Sequence, residues 1–163
     1  MSRGSLCLSP PAEILAGVDA LTIRPATDSD STAISQLVGQ LGYPASAHEI
    51  APRLADLNAH PPSTAVVAET PAGSVVGIAT AHIFYSLHKS EPIAWLTSLV
   101  VDDDARGIGI GSALLAYAER WAVDNGAIRL TLSSANHRRE AHEFYERRGY
   151  EISGVRLSKQ LTG

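Results

Sequence analysis

A single cysteine, Cys7, in a chain of 163 residues excludes an intramolecular disulfide and predicts a reducing, cytoplasmic setting. Nothing near Cys7 would lower its pKa, so it reads as a tail residue rather than a reactive thiol. No apolar run approaches the length of a membrane span. Pro10 and Pro11 interrupt the one N-terminal stretch that begins like a leader. Lys and Arg number 13 against 17 Asp and Glu, a formal charge of −4, and they form no basic patch. Nucleic acid is therefore not an expected partner, and the mildly acidic balance leans toward a cationic or amine ligand. Internal repeats and low-complexity linkers are also missing. Three consecutive carboxylates, Asp102, Asp103 and Asp104, point in different directions, which predicts a solvated turn and no metal site.

What is present is an ordinary globular composition, 45% hydrophobic and 18% charged, sized for one domain with a sizeable core. Residues 1–20 read as an extension and residues 21–163 as the domain. "ALTIRP" predicts an opening strand, and "TDSD" a helix start because Asp and Ser accept bonds from orphan amides. Ile34, Leu37, Val38 and Leu41 then recur at helical spacing up to Gly42. Ser46 with Glu49 has the pattern of a capping box, while Pro52 argues for a start nearer itself; that boundary stays open. "STAVVAE" and "SVVGIATAHIF" predict strands joined by a "TPAG" turn, and "IAWLTSLVV" a third. Leu114, Leu115, Ala118, Trp121 and Ala122 mark one face of a helix ending at Gly126. "AIRLTLSS" predicts a strand, "RREAHEFYERR" a helix closed by Gly149, and "YEISGVRLSKQL" a last strand. The fold class is α/β (α+β) around a mixed sheet.

One stretch asks for more than a fold. Arg106, Gly107, Ile108, Gly109, Ile110, Gly111 and Ser112 lie between a buried strand and an amphipathic helix. The first amides of a helix lack internal partners and carry the positive end of its dipole. Glycines let a bulky anion approach that backbone, so the segment reads as a pyrophosphate cradle. A Walker A loop would need a lysine after the last glycine, where Ser112 and Ala113 stand. The dinucleotide pattern G-x-G-x-x-G meets Ser112 or Leu114 where its last glycine should be.

The pattern R-x-x-G-x-G, after "LVVDDDA" and before a long helix, resembles the coenzyme A signature of the GNAT acetyltransferase superfamily. "SSAN…A..FYERRGY" resembles a second family segment, with Asn136, Ala141, Phe144, Tyr145 and Gly149 in matching places. The likeness spans about residues 21–161. It implies a mostly antiparallel central sheet flanked by about four helices, and acetyl-CoA as cosubstrate. It further implies that Leu99, Val100 and Val101 offer backbone partners to the pantetheine arm and that residues 106–112 hold the pyrophosphate. Asn136 would bond the arm further along, and Tyr145 would lie near the thioester sulfur. Arg138 and Arg139 are candidates for the 3′-phosphate, against a solvated helix start. The ending, with "SLHKSEPIAW" upstream, is similar to small-amine acetyltransferases, including the aminoalkylphosphonate group. The function implied is acetyl transfer to a primary amine of a small molecule. The rivals are a protein or peptide N-acetyltransferase and a non-catalytic acyl-CoA sensor. A homodimer is a further expectation, dimers being the commonest soluble oligomer.

The chemistry sets its own requirements. A free amine has a pKa near ~10 and must lose a proton to attack. The oxyanion needs a donor, expected from a strand-bulge amide near Val100. The leaving thiolate, with a pKa of about 8.5 if it resembles cysteine, needs an acid. Tyr145 is the candidate acid, with plain helix packing beside Phe144 as the alternative. The family's strand glutamate has no counterpart in "WLTSLVV", where Thr97 and Ser98 orient water but hold no proton. His82, His88 and Glu91 are then the titratable candidates, and His88 is the expected base because imidazole titrates in the useful range. Lys89, Arg156 and Lys159 read as surface charges, with an anionic acceptor as the alternative.

Overall fold

The computed structural model describes residues 13–14, 21–60 and 62–161, so Cys7 and most of the expected extension lie outside the described residues. Contacts divide the chain into two compact units, Met1–Thr131 and Leu132–Gly163. The first is built on a sheet whose strands lie in sequence order: β1 (Glu13–Ile14), β2 (Thr22–Pro25), β3 (Ser63–Glu69), β4 (Val75–Phe84), β5 (Ile93–Val101) and β6 (Leu130–Leu132), the last straddling the boundary. From β1 to β5 every neighbouring pair is antiparallel. Two residues of the expected extension thus form a strand.

The helices lie where periodicity and caps predict. α1 (Ser31–Gln40) follows a short 3-10 turn, Asp28–Asp30. α2 (Ala47–Ala59) starts at the capping box: Ser46 Oγ accepts from the Glu49 amide at 3.3 Å, and Glu49 Oε2 accepts from the Ser46 amide at 2.8 Å. Pro52 sits inside this helix at the loss of one backbone bond. The satisfied cap and the buried Ile50 and Leu54 outweigh that loss. α3 (Ile110–Asp124) follows β5, and Gly126 beyond it adopts a positive φ of 80°, as a helix stop requires.

Two faces of the sheet are covered. Ile34, Leu37, Ile50 and Leu54 from α1 and α2 pack with Ala65, Val67, Ile78 and Val100. On β4 the next residue back, Gly77, faces the other way, and there α3 comes close. A Cβ at Gly77 would lie 2.9 Å from Leu114 Cδ1 and 3.1 Å from the Val100 carbonyl oxygen. Just before α1, the buried Asp30 accepts from both terminal nitrogens of Arg24, Nη1 and Nη2, at 2.8 Å, and Arg24 Nε donates to Glu69 at 2.6 Å. Periodicity gave no warning of this network.

The second unit holds α4 (Arg139–Glu146), closed by Gly149 at φ 81°. The predicted last strand is absent: residues 150–161 form no helix or strand. A strand is a paired object, and β-forming residues without a ladder neighbour remain irregular. Ile152, Val155 and Leu157 are accordingly exposed.

Candidate active site

The glycine segment is a backbone device. Gly107 and Gly109 take φ of 83° and 95°, a left-handed geometry that other L-residues adopt only with strain. Gly109 is the N-cap of α3, and the first intrahelical bond runs from the Ala113 amide to its carbonyl at 3.1 Å. The amides of Ile110 and Gly111, which precede that bond, have no acceptor among the helix's own carbonyls. Gly111 lies within the helix, so two of the three alternating glycines are required by φ. Ile108 is exposed between them.

Arg106 is held at the entrance. Its guanidinium meets Asp103 Oδ1 at 2.6 Å, and Nε reaches the Val101 carbonyl at 3.4 Å. The neighbouring acids have structural work: Asp102 Oδ1 caps the Asp104 amide at 3.0 Å, and Gln40 Oε1 accepts from the Asp103 amide at 3.1 Å. This segment is a capped turn.

β5 carries the irregularity the sequence placed elsewhere. Leu99, Val100 and Val101 pair with Ala79, Ile78 and Gly77, and Val100 is buried in the core. The register shifts between Thr80 and Ala81, whose partners are Ser98 and Leu96. Thr97 is thus the extra residue, so the bulge lies at Thr97 and not near Val100. Its hydroxyl sits 2.7 Å from the buried Thr80 hydroxyl and donates to the Thr80 carbonyl at 3.1 Å. Thr80 and Thr97, polar residues within two largely apolar strands, were the available signal. A bulge leaves one residue of the ladder unpaired, and hence an amide free of its strand partner. β6 is three residues against nine in β5, about 10 Å against 30 Å of strand. At Ala94 of β5 the amide donates to the carbonyl of Arg129, just before β6, at 2.9 Å, and the carbonyl accepts from Thr131 Oγ1 at 3.3 Å.

Past the bulge, His82, Phe84 and Trp95 form a tier of rings with centroids 6.3 Å and 6.2 Å apart. His88 lies beyond the end of β4 on an exposed turn, with Nδ1 2.8 Å from Ser86 Oγ.

In the second unit, Asn136 is exposed in the turn closed by the Arg138 amide and the Ala135 carbonyl at 2.9 Å. Tyr145 is half-buried on α4, edge-on to Phe144 at 5.2 Å and to Tyr150 at 5.5 Å. Burial pushes its phenol up to about 12, against the pull of Arg138. At neutral pH it holds its proton and can offer it in a hydrogen bond to an anion. Arg148 stacks 3.7 Å over the Phe144 ring and donates to the Phe144 carbonyl at 2.8 Å. Each unit therefore holds its share of the expected residues: the cradle and β5 in one, Asn136 and Tyr145 in the other.

Comparison with known proteins gives a consistent picture. The Acetyltransferase (GNAT) family profile matches residues 33–150. An aminoalkylphosphonate N-acetyltransferase of Salmonella typhimurium is 36% identical over 144 residues, 85% of this chain and 90% of that protein. An aminoglycoside N(6′)-acetyltransferase type 1 of Stenotrophomonas maltophilia is 30% identical over 135 residues, covering 81% and 87%. Among solved structures, AAC(6′)-Iy in complex with a bisubstrate analog, CoA-S-monomethyl-acetylneamine, superposes with a TM-score of 0.75 at 17% identity, over 88% of this chain and 99% of that one; it shares the fold. The left-handed glycines ahead of α3, the antiparallel sheet and the family match agree: this chain belongs to the GNAT acetyltransferase family and is an acyltransferase of the N-acetyltransferase kind.

Proposed function

We propose that the protein transfers the acetyl group of acetyl-CoA to the primary amine of a small molecule. The observation that carries this reading is the pair of positive-φ glycines, Gly107 and Gly109, beside Arg106 at the mouth of α3. That geometry brings bare amides and a cation to a pyrophosphate without Cβ atoms in the way. A CoA-derived bisubstrate analog bound to a protein of the same fold supports it, as do two amine-acetylating relatives.

In this reading residues 106–112 hold the pyrophosphate, Leu99, Val100 and Val101 offer backbone groups to the pantetheine arm, and Asn136 bonds it further along. The neutral amine attacks the thioester carbonyl carbon, and the amide at the Thr97 bulge stabilises the resulting oxyanion. As the C–S bond breaks, Tyr145 gives its proton to the departing sulfur. His88, whose ring is steadied by Ser86, takes the proton lost by the amine.

A screen of primary amines with acetyl-CoA, following free thiol release, tests the reading. At least one small amine should stimulate release, with a matching N-acetylated product. Binding of acetyl-CoA with no turnover on any amine would leave the sensor alternative standing instead.

A further inference from the structure

Among the described residues the buried polar side chains, aromatics aside, are Asp30, Ser31 and Thr80. The first two serve the start of α1: Asp30 holds Arg24, and Ser31 Oγ donates to the Asp28 carbonyl at 2.8 Å. Thr80 has no helix end to serve. It lies within β4 between the buried Ala79 and Ala81, opposite the buried Ala65 of β3. Valine has the same shape and would fill that place without taking a hydroxyl out of water. The hydroxyl is explained by what it touches, the Thr97 hydroxyl at the break in the β4–β5 register.

The hydrogens can be counted, since each hydroxyl has one to give. Thr97 Oγ1 gives its hydrogen to the Thr80 carbonyl at 3.1 Å, so in the 2.7 Å contact between the hydroxyls Thr80 donates and Thr97 accepts. The two bonds close on Thr80 itself, from its hydroxyl through Thr97 Oγ1 to its own carbonyl. A hydroxyl that accepts while it donates is polarised by its neighbours. The clasp ties to β4 the residue that the ladder leaves out.

We infer that the Thr80–Thr97 hydroxyl pair is a positioning device, fixing the bulge so that its amide meets the oxyanion of the acyl-transfer step. The inference rests on the proposed acetylation, in which that amide is the donor. Neither hydroxyl touches a reacting atom; both act through the backbone of Thr97. An oxyanion donor works by being aimed before charge develops, and a displacement of about 1 Å can slow a reaction about 10²-fold. A bulge interrupts the ladder locally and so removes the constraint that an aimed amide needs. The hydroxyl pair restores it.

Thr97→Val and the double variant Thr80→Val/Thr97→Val remove these bonds at constant shape. Replacing both partners by apolar groups of the same shape leaves stability nearly unchanged, so the double variant should melt with the parent protein. Thr97 is exposed, and its single variant carries the test if the double one melts early. On an accepted amine each should lower kcat about tenfold or more with KM little changed. Thr97→Ser, which keeps the hydroxyl, should recover most of that loss. Backbone amide relaxation by NMR, without acetyl-CoA, supplies the second readout. The Thr97 and Ser98 amides should lie near the rigid order parameter of about 0.85 in the parent protein and drop toward about 0.6 without the hydroxyls, while Val66 and Val67 stay rigid. Parental kcat in the valine variants, or a Thr97→Ser variant as slow as Thr97→Val, overturns the inference while the acetylation stands. So does a bulge that stays rigid without the hydroxyls. If the parent protein acetylates no amine, the proposed function fails and the oxyanion role with it, whereas loosening of the bulge would still establish the clasp.

Discussion

Every buried residue described in this chain lies at or before Ala127; from residue 128 to 161 each described residue is partly or fully exposed. In the first unit, order comes from burial across long sequence separations, with Ile34 and Leu54 meeting Val67 and Val100 on one face of the sheet. In the second, order is local: Phe144, Tyr145 and Tyr150 meet edge to face within six residues, and Arg148 covers the first ring. A substitution in the first unit therefore tests packing before chemistry. In the second, little packing stands in the way, and a side chain such as Tyr145 is tested for its chemistry.

The sharpest break of that contrast is Tyr145→Phe. The ring contacts survive and only the hydroxyl is lost, so thermal melting should be nearly unchanged. We expect kcat to fall on the order of 10²-fold, with little change in KM. Steady-state kinetics on an accepted amine check it, and an unchanged kcat would make the aromatic cluster packing alone.

Next in size is Asp30→Asn in the first unit. The Arg24 guanidinium holds this carboxyl below its ordinary range, assisted by the Thr27 amide. Because the folded value is depressed, the stability gained is fully present above the unfolded pKa of about 3.9. It is lost as pH falls through the folded value. The variant should lose about 2 kcal/mol at pH 7. That is less than the ~3–5 kcal/mol of a broken buried pair, because Arg24 keeps Glu69. Urea melts at pH 7 and pH 3 should show the gap from wild type shrinking in acid.

Gly77→Ala follows. The added methyl meets Leu114 and the Val100 carbonyl oxygen, and the latter is backbone that cannot rotate away. Overpacking of this kind costs roughly 1–3 kcal/mol, and we expect about 1.5 kcal/mol by denaturant midpoint at unchanged slope. His88→Ala should be milder, with kcat/KM roughly tenfold lower on an accepted amine. Unchanged kcat/KM would remove His88 as the base.

The contrast between the units also governs what the sequence could tell. Helix ends were legible because their signals are local. Ser46 with Glu49 caps α2, deciding the boundary that Pro52 left open, and Gly42, Gly126 and Gly149 all adopt positive φ. The Arg24–Asp30–Glu69 network was hidden because its members are separated by up to 45 residues and no periodicity links them. The bulge was expected but misplaced by three residues, since the register of β5 is set by β4 and not by β5 itself. The last strand failed for a related reason: residues such as Val155 and Leu157 favour extended backbone, but only a partner makes a strand. Of the candidate site, the turn before α3 was marked by its glycines, and Gly107 and Gly109 there take positive φ. The pairing of Thr80 with Thr97 was not marked, because 17 residues separate them and only the register of β5 on β4 joins them.

The account stands most directly on the claim that the left-handed glycine turn before α3 holds the acetyl donor. Gly109→Asp puts a carboxylate where the pyrophosphate would lie, and Asp is among the residues that tolerate left-handed backbone, so the variant should fold. Calorimetric titration with acetyl-CoA should show affinity reduced at least tenfold, about 1.4 kcal/mol. A folded variant that binds acetyl-CoA as tightly as the parent protein would contradict the assignment of this turn.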